Sequence, residues 1–261
     1  MKAGIKHVLL RILPQSVLLP LKKSHYFKLL RHLDLREEKD FAVIEKLVKP
    51  GELVIDIGAN YGVYMKFLAG LVGKDGLVVS VEPIPDTFAI LSSNAKKLDL
   101  KNVKLLNNAF SDRKEEMVME IPTMEKGGEN YYMAKIVDGG STTPGLRKVT
   151  IKSVTLDSQF ASASRAISFI KCDVEGHELP CIRGAMESLG KWKPSWCVEV
   201  NTDPDEPAGQ GQELFRIFQG QGYGVYWFDG TRLKQWKPGA RSVNYFFLTE
   251  RHLELVRDIL G

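Results

Sequence analysis

The chain has 261 residues, 44% of them hydrophobic and 26% charged, with a formal net charge of +4. That is enough apolar material for one large α/β domain with an appendage, and the charge is too mild to signal a nucleic-acid partner by itself. Three cysteines, Cys172, Cys181 and Cys197, show no metal-type spacing. They read as core thiols of a reducing, cytoplasmic compartment rather than as a disulfide framework or metal cluster.

The charge is unevenly placed. Residues 1–33 hold Lys2, Lys6, Arg11, Lys22, Lys23, Lys28 and Arg31 and no acid. Val8-Leu9-Leu10, Ile12-Leu13 and Val17-Leu18-Leu19 are interleaved with them, and Pro14 and Pro20 are expected to break the segment into short pieces. No apolar run approaches the ~18 residues of a membrane span, and Arg11 and Pro14 interrupt a would-be signal-peptide core. Two main readings of this basic extension (1–45) remain. One is an amphipathic cap packed on the domain. The other is a segment peripheral to an anionic membrane surface. A transit peptide is a third.

From residue 46 to 261 strands and helices alternate. Apolar strand 53–57 runs into a glycine turn, Asp56-Ile57-Gly58-Ala59-Asn60-Tyr61-Gly62, and then helix 62–73. Strand 77–82 ends on Glu82, and Asp86 is placed to cap a helix over 86–99. Strand 103–106 leads to Asn107-Asn108-Ala109. Strand 167–172, helix 178–189, strand 195–200, helix 210–220, strand 223–228 and strand 244–248 complete the repeat. Short βα units imply a mostly parallel sheet with helices on both faces. Segment 113–157 breaks the pattern with expected extra strands at 116–121, 131–137 and 149–154 and Gly-rich connections. An insertion of that length commonly builds or lids a site.

The first βαβ unit places a nucleotide-like ligand across its carboxyl ends. A dinucleotide turn has glycine at its third position so that backbone can approach a pyrophosphate. Asn60 stands there, and Asp56 would repel a phosphate. A cationic ligand with a ribose fits better, and S-adenosylmethionine is one. Glu82 is then the ribose acceptor, Asp56, Gly58, Ala59, Asn60 and Gly62 form the turn, and Asn108 and Ala109 edge the adenine. A second cluster, Lys171-Cys172-Asp173-Val174-Glu175-Gly176-His177-Glu178, opens on the same sheet edge. Five ionisable side chains at one strand end are costly unless solvated or used.

These residues carry a resemblance. Val54–Gly62, Val81-Glu82-Pro83, Asn108–Asp112, Thr155-Leu156-Asp157, Phe169–Gly184, Lys193-Pro194 and Val198–Val200 resemble the FkbM family of S-adenosylmethionine-dependent methyltransferases. Lys171-x-Asp173-x-Glu175-Gly176-x-Glu178 is the most specific part. The resemblance covers about 50–250. It implies a seven-stranded class I, Rossmann-like sheet and O-methylation of a hydroxyl on a sugar, glycan, glycolipid or natural-product acceptor.

Methyl transfer needs alignment of the acceptor and removal of its proton. Asp173 is the first candidate base and His177 the second, with Glu175 in the same set. Lys171 could balance the carboxylates or bind an acidic acceptor. Asp173, Glu199 and Asn201 could offer oxygen ligands to Mg²⁺, but adjacency to strand ends does not establish convergence, and no metal ligand is assigned. A dehydrogenase is disfavoured by Asn60, and a nucleic-acid methyltransferase by the lack of an Asn/Asp-Pro-Pro-aromatic loop. A non-catalytic binding module would need no ionisable cluster.

Overall fold

The computed structural model describes residues 15–35, 38–122, 133–137, 143 and 146–261. Helix α1 (Gln15–His32) runs through Pro20 as one piece. Proline removes only one backbone donor there, and Ser16, whose carbonyl loses that partner, is exposed to water. The expected break is therefore absent. Its inner face packs on the domain. Leu30 is fully buried, the Lys66 ammonium donates to the Leu30 carbonyl at 2.8 Å, and the Tyr26 and Tyr61 rings lie 5.0 Å apart. Helix α2 (Phe41–Leu47) buries Phe41, Val43, Ile44 and Leu47 in the core. The boundary drawn at residue 45 thus falls inside a core helix.

The domain proceeds through β1 (Leu53–Ile57), α3 (Val63–Val72), β2 (Leu77–Val81), α4 (Pro85–Lys97) and β3 (Val103–Leu106). Next come β4 (Ala109–Phe110), β5 (Glu116–Ile121), β6 (Lys135–Val137), β7 (Arg147–Val154) and α5 (Leu156–Phe160). After β8 (Ile167–Cys172) follow α6 (Glu178–Arg183), α7 (Met186–Trp192), β9 (Ser195–Glu199) and α8 (Gln210–Gly220). Strands β10 (Gly224–Phe228), β11 (Leu233–Gln235) and β12 (Asn244–Leu248), helix α9 (Glu250–Leu255) and a 3₁₀ turn (Arg257–Ile259) end the chain.

The main sheet has the order β11-β10-β12-β9-β8-β1-β2-β3. Its β9-β8-β1-β2-β3 part is parallel, while β12 runs antiparallel to both of its neighbours. This is the expected Rossmann-like sheet with one addition: β11 pairs antiparallel at the edge as an eighth strand. Successive residues of each central strand enter different layers. Ile55, Val79, Ile170 and Trp196 meet α6, α7 and α8, whereas Val54, Val78, Phe169 and Cys197 meet α2 and α3. Burial on both faces is what makes these strands continuously apolar. All three cysteines are buried and free.

The insertion forms a second sheet, β4-β7-β5-β6, over a smaller core of Ile84, Ala109, Met117, Met119, Ile121, Ala134 and Ile151. Its strand β6 is seen at 135–137. The start of the expected 131–137 strand lies outside the described residues, as do residues 1–14. Two helix boundaries differ from expectation. Helix α4 begins with Pro85, and Asp86 in its first turn pairs with Arg147 at 2.7 Å instead of capping. The helix expected over 178–189 is interrupted at Gly184 and Ala185, and position 184 has room only for glycine, because a Cβ there would lie 2.0 Å from the Ser111 carbonyl oxygen.

Candidate active site

Strands β1 and β8 are parallel neighbours, with Asp56 beside Lys171 and Ile57 beside Cys172. Their carboxyl-end loops therefore meet. Gly58 has φ +81°, and an added Cβ would sit 1.7 Å from the Asp173 carbonyl oxygen. Only glycine allows that approach. Asn60 follows at φ +48°, a conformation asparagine tolerates better than most residues.

Beside this turn lies a cavity at the carboxyl ends of β1 and β2. Gly58, Glu82, Asn108, Ala109, Glu175 and His177 line it, and Met119, Ala134 and Ile136 of the insertion form one wall. The expected cofactor residues thus divide. Gly58, Glu82, Asn108 and Ala109 face the cavity. Asp56, Ala59, Asn60 and Gly62 build the turn beside it. Asp56 is buried and accepts from Ser80 Oγ at 3.3 Å. A Cβ on Gly62, at φ +104°, would meet the Met65 and Leu91 side chains, so that glycine serves packing.

Glu82 is tied in place by two backbone amides. Asn60 N–H donates to Oε2 and Ile84 N–H to Oε1, both at 3.0 Å. A carboxylate accepts about four hydrogen bonds, so two sites remain for a diol. Burial pushes both Glu82 and Asp56 up to about 7, against the pull of the amides on Glu82 and of Lys171 on Asp56. In the same cavity wall, Asn108 Oδ1 is buried with no hydrogen-bond partner among the described residues. An orphaned buried carbonyl is expensive, and the amino group of an adenine would satisfy it. The residues present therefore fit an adenosine-bearing ligand, with Asn108 at the base and Glu82 at the ribose. Sequence reasoning missed Asn107, whose amide donates to the Glu82 and Pro83 carbonyls at 2.8 and 3.1 Å and joins the ends of β2 and β3. Its only signal was its place next to Asn108.

The Lys171–Glu178 loop separates into two kinds of residue. Lys171 is 1% exposed, and its ammonium donates to Asn244 Oδ1 at 2.9 Å and lies 3.7 Å from Asp173 Oδ2. It sits 5.2 Å from the centre of the Tyr64 ring. Burial opposes its charge, but Tyr64, Cys197, Asp173 and Glu199 together hold its proton more tightly than usual. At neutral pH the carboxylates do this, since burial pushes the Tyr64 hydroxyl and the Cys197 thiol upward. Lys171 thus lies under the site, out of an acceptor's reach. Glu178 is also internal. Its Oε1 accepts from the Val174 and Gly176 amides, both at 3.1 Å, and fixes the loop.

Asp173, Glu175 and Glu199 converge, with carboxylate oxygens within 4.8 Å of one another. Asn201 donates to Glu199 at 2.9 Å and stands behind it. The oxygen cluster thus includes Glu175, which the sequence reading had not placed there. The Lys171 ammonium already supplies one positive charge beside it. Burial and then the Asp173 charge push Glu199 up, and Glu175 is pushed up to about 7 by burial, Asp173 and Glu199. Glu175 also has φ +54°, an unfavourable backbone for that residue type.

A second, polar recess adjoins the cavity. Ser111, Asp112, Arg113, Glu115, Lys135 and Gln210 contribute to it, and it shares Ile136, Glu175 and His177 with the first. His177 Nε2 lies 2.9 Å from Ser111 Oγ, so the residue that follows β4 positions the imidazole. Glu175 and His177 therefore stand between the cavity beside the glycine turn and a hydrophilic recess. Sequence spacing gave no sign of the wall residues Met119, Ala134 and Ile136, because the insertion's length alone pointed to a site.

Residues 56–225 match the methyltransferase FkbM domain. A methyltransferase FkbM of Methylobacillus flagellatus KT shares the fold, with a TM-score of 0.50 and 15% identity over 87% of this chain and 59% of that one. Two protein-L-isoaspartate O-methyltransferases match over 59 residues: 37% identical in Methanococcus aeolicus and 41% in Archaeoglobus fulgidus. Each match covers 23% of this chain and 27% of the relative, so the chain matches about a quarter of their length. A match that short cannot contain both the Gly58 turn and the Glu175 loop, and it says nothing about the acceptor.

Proposed function

The chain belongs to the FkbM methyltransferase family, and from that premise we propose that it methylates a hydroxyl group of a sugar, glycan, glycolipid or natural-product acceptor, with S-adenosylmethionine as donor. One observation carries the reading. The cavity lined by Glu82 and Asn108, whose side-chain carbonyl is orphaned among the described residues, shares Glu175 and His177 with an adjoining recess lined with charged and amide side chains. A hydroxyl-rich acceptor matches such a lining, since it both donates and accepts hydrogen bonds.

When bound, S-adenosylmethionine supplies a methyl group already activated on sulfur. The chain's task is to align the acceptor and take its proton. A base is most effective when its pKa lies near the working pH. Glu175 meets that condition at about 7, lines both spaces and is held in a strained backbone. The geometry therefore favours Glu175 as base, ahead of Asp173, with His177 positioned by Ser111 to contact the acceptor. Asp173 lines neither space and acts by setting the charge around Glu175.

Calorimetric titration with S-adenosylmethionine, NAD and NADP tests the donor. Binding of S-adenosylmethionine alone is expected, and preference for a dinucleotide overturns the reading. A screen of sugar and polyol acceptors for transfer of labelled methyl then tests the acceptor class. Transfer to nucleic acid or protein, with none to hydroxyl compounds, would replace it.

A further inference from the structure

The chain's net positive charge comes from its first residues. Residues 1–33 hold seven of the 36 basic residues and none of the 32 acidic ones, which leaves 29 against 32, a net of −3, for the rest. Helix α1 is the described part of that segment. Its inner face is occupied by the contacts to Lys66, Tyr61 and the core. Among the described residues, nothing occupies its outer face. Val17, Leu21, His25, Lys28, Leu29 and His32 follow helical three- and four-residue spacing, and all are exposed. Val17, Leu21 and Leu29 are three of the six large hydrophobics exposed among the described residues. Helix α1 is thus apolar on two sides, and only one side is covered by the described residues.

We propose that the outer face of α1 docks on an anionic lipid bilayer. Three features select that partner. Leucine and valine interleaved with lysine and arginine suit the boundary between acyl chains and headgroups, where apolar side chains insert and cationic ones reach back to phosphates. A second copy of the chain would bring the same basic face against itself. Nucleic acid would be met by the basic residues alone, leaving Val17, Leu21 and Leu29 without a role. The apolar runs at Val8–Leu10 and Ile12-Leu13, with Lys2, Lys6 and Arg11, extend the same composition toward the N-terminus. Docking in this way lays the helix flat, with Tyr26 on its far side against Tyr61 of the cofactor turn. The catalytic edge then stands roughly one helix diameter, ~10 Å, from the membrane surface.

The test is cosedimentation of the full chain with phosphatidylcholine vesicles containing or lacking phosphatidylserine. Binding only to the anionic vesicles is expected, and it should weaken as salt is added. Leu21→Gln with Leu29→Gln, and separately Lys28→Glu with Arg31→Glu, should each lower the bound fraction. The charge reversal is worth about tenfold or more. These side chains are exposed, so thermal midpoints should not move. The proposal is overturned if the full chain ignores anionic vesicles at low salt. It is also overturned if both folded variants bind like the parent, or if a labelled RNA duplex is bound and vesicles are not. Because the assay reads no methyl transfer, its outcome is independent of the proposed activity.

Discussion

The Gly58 turn and the Glu175 loop end neighbouring strands of one sheet, yet they are held by opposite means. The first is fixed by backbone: positive φ at Gly58, Asn60 and Gly62, and two amides clamping Glu82. The second is fixed by side chains. Glu178 holds its amides, Lys171 lies beneath it, and three carboxylates crowd above. A change in the first region acts through space and a change in the second through charge, although the two touch where Gly58 faces the Asp173 carbonyl.

The largest effect is expected in the second region. Glu175→Gln preserves size and removes the base, so turnover should fall about 10²–10⁴-fold with S-adenosylmethionine affinity nearly kept. His177→Ala should cost less. Single-turnover methyl transfer measured beside calorimetry checks both, and the reverse order would give the base role to His177.

Gly58→Ala tests the space argument. A Cβ at φ +81° against a carbonyl oxygen adds backbone strain to overpacking, together roughly 3 kcal/mol or more. The thermal midpoint should drop and S-adenosylmethionine binding should disappear. A variant that binds normally would show that the two loops can move apart without consequence.

Glu82→Ala should weaken S-adenosylmethionine binding about tenfold or more, the cost of charge-assisted hydrogen bonds. The same residue sets a pH dependence. Glu82 and Asp56 sit at about 7 when folded, above their ordinary 4.5 and 3.8. A raised carboxyl holds its proton better in the folded state, so its stabilising contribution is full below about pH 4 and is lost as pH rises through 7. The ligand-free protein should therefore melt at a lower temperature at pH 8 than at pH 6. Ribose hydroxyls favour the ionised carboxylate, so affinity should rise over that interval. In Glu82→Gln this rise should flatten.

The smallest effect sharpens the charge side. Asp173 raises the pKa of Glu175, so Asp173→Asn should move the acidic midpoint of the turnover profile downward. An unmoved midpoint, with turnover as low as in Glu175→Gln, would return the base role to Asp173.

Local rules of the chain already determined much of this protein. Apolar runs set β1, β2, β8 and β9, glycine spacing set the first turn, and the acid after β2 marked Glu82, because period, turn chemistry and strand-end position are properties of adjacent residues. Only the tertiary structure decided what the second loop's charges are for. Lys171, Asp173, Glu175 and Glu178 look alike in sequence. Strand alternation sends Lys171 under the sheet edge, Glu178 turns back onto its own loop's amides, and Asp173 and Glu175 come together with Glu199 from another strand. The remaining surprises share that cause. Position 184 has to be glycine because Ser111 passes close by, and Asn108 faces a cavity whose far wall comes from β5 and β6. Burial and charge coupling depend on which distant segments meet, and adjacent residues carry no record of that.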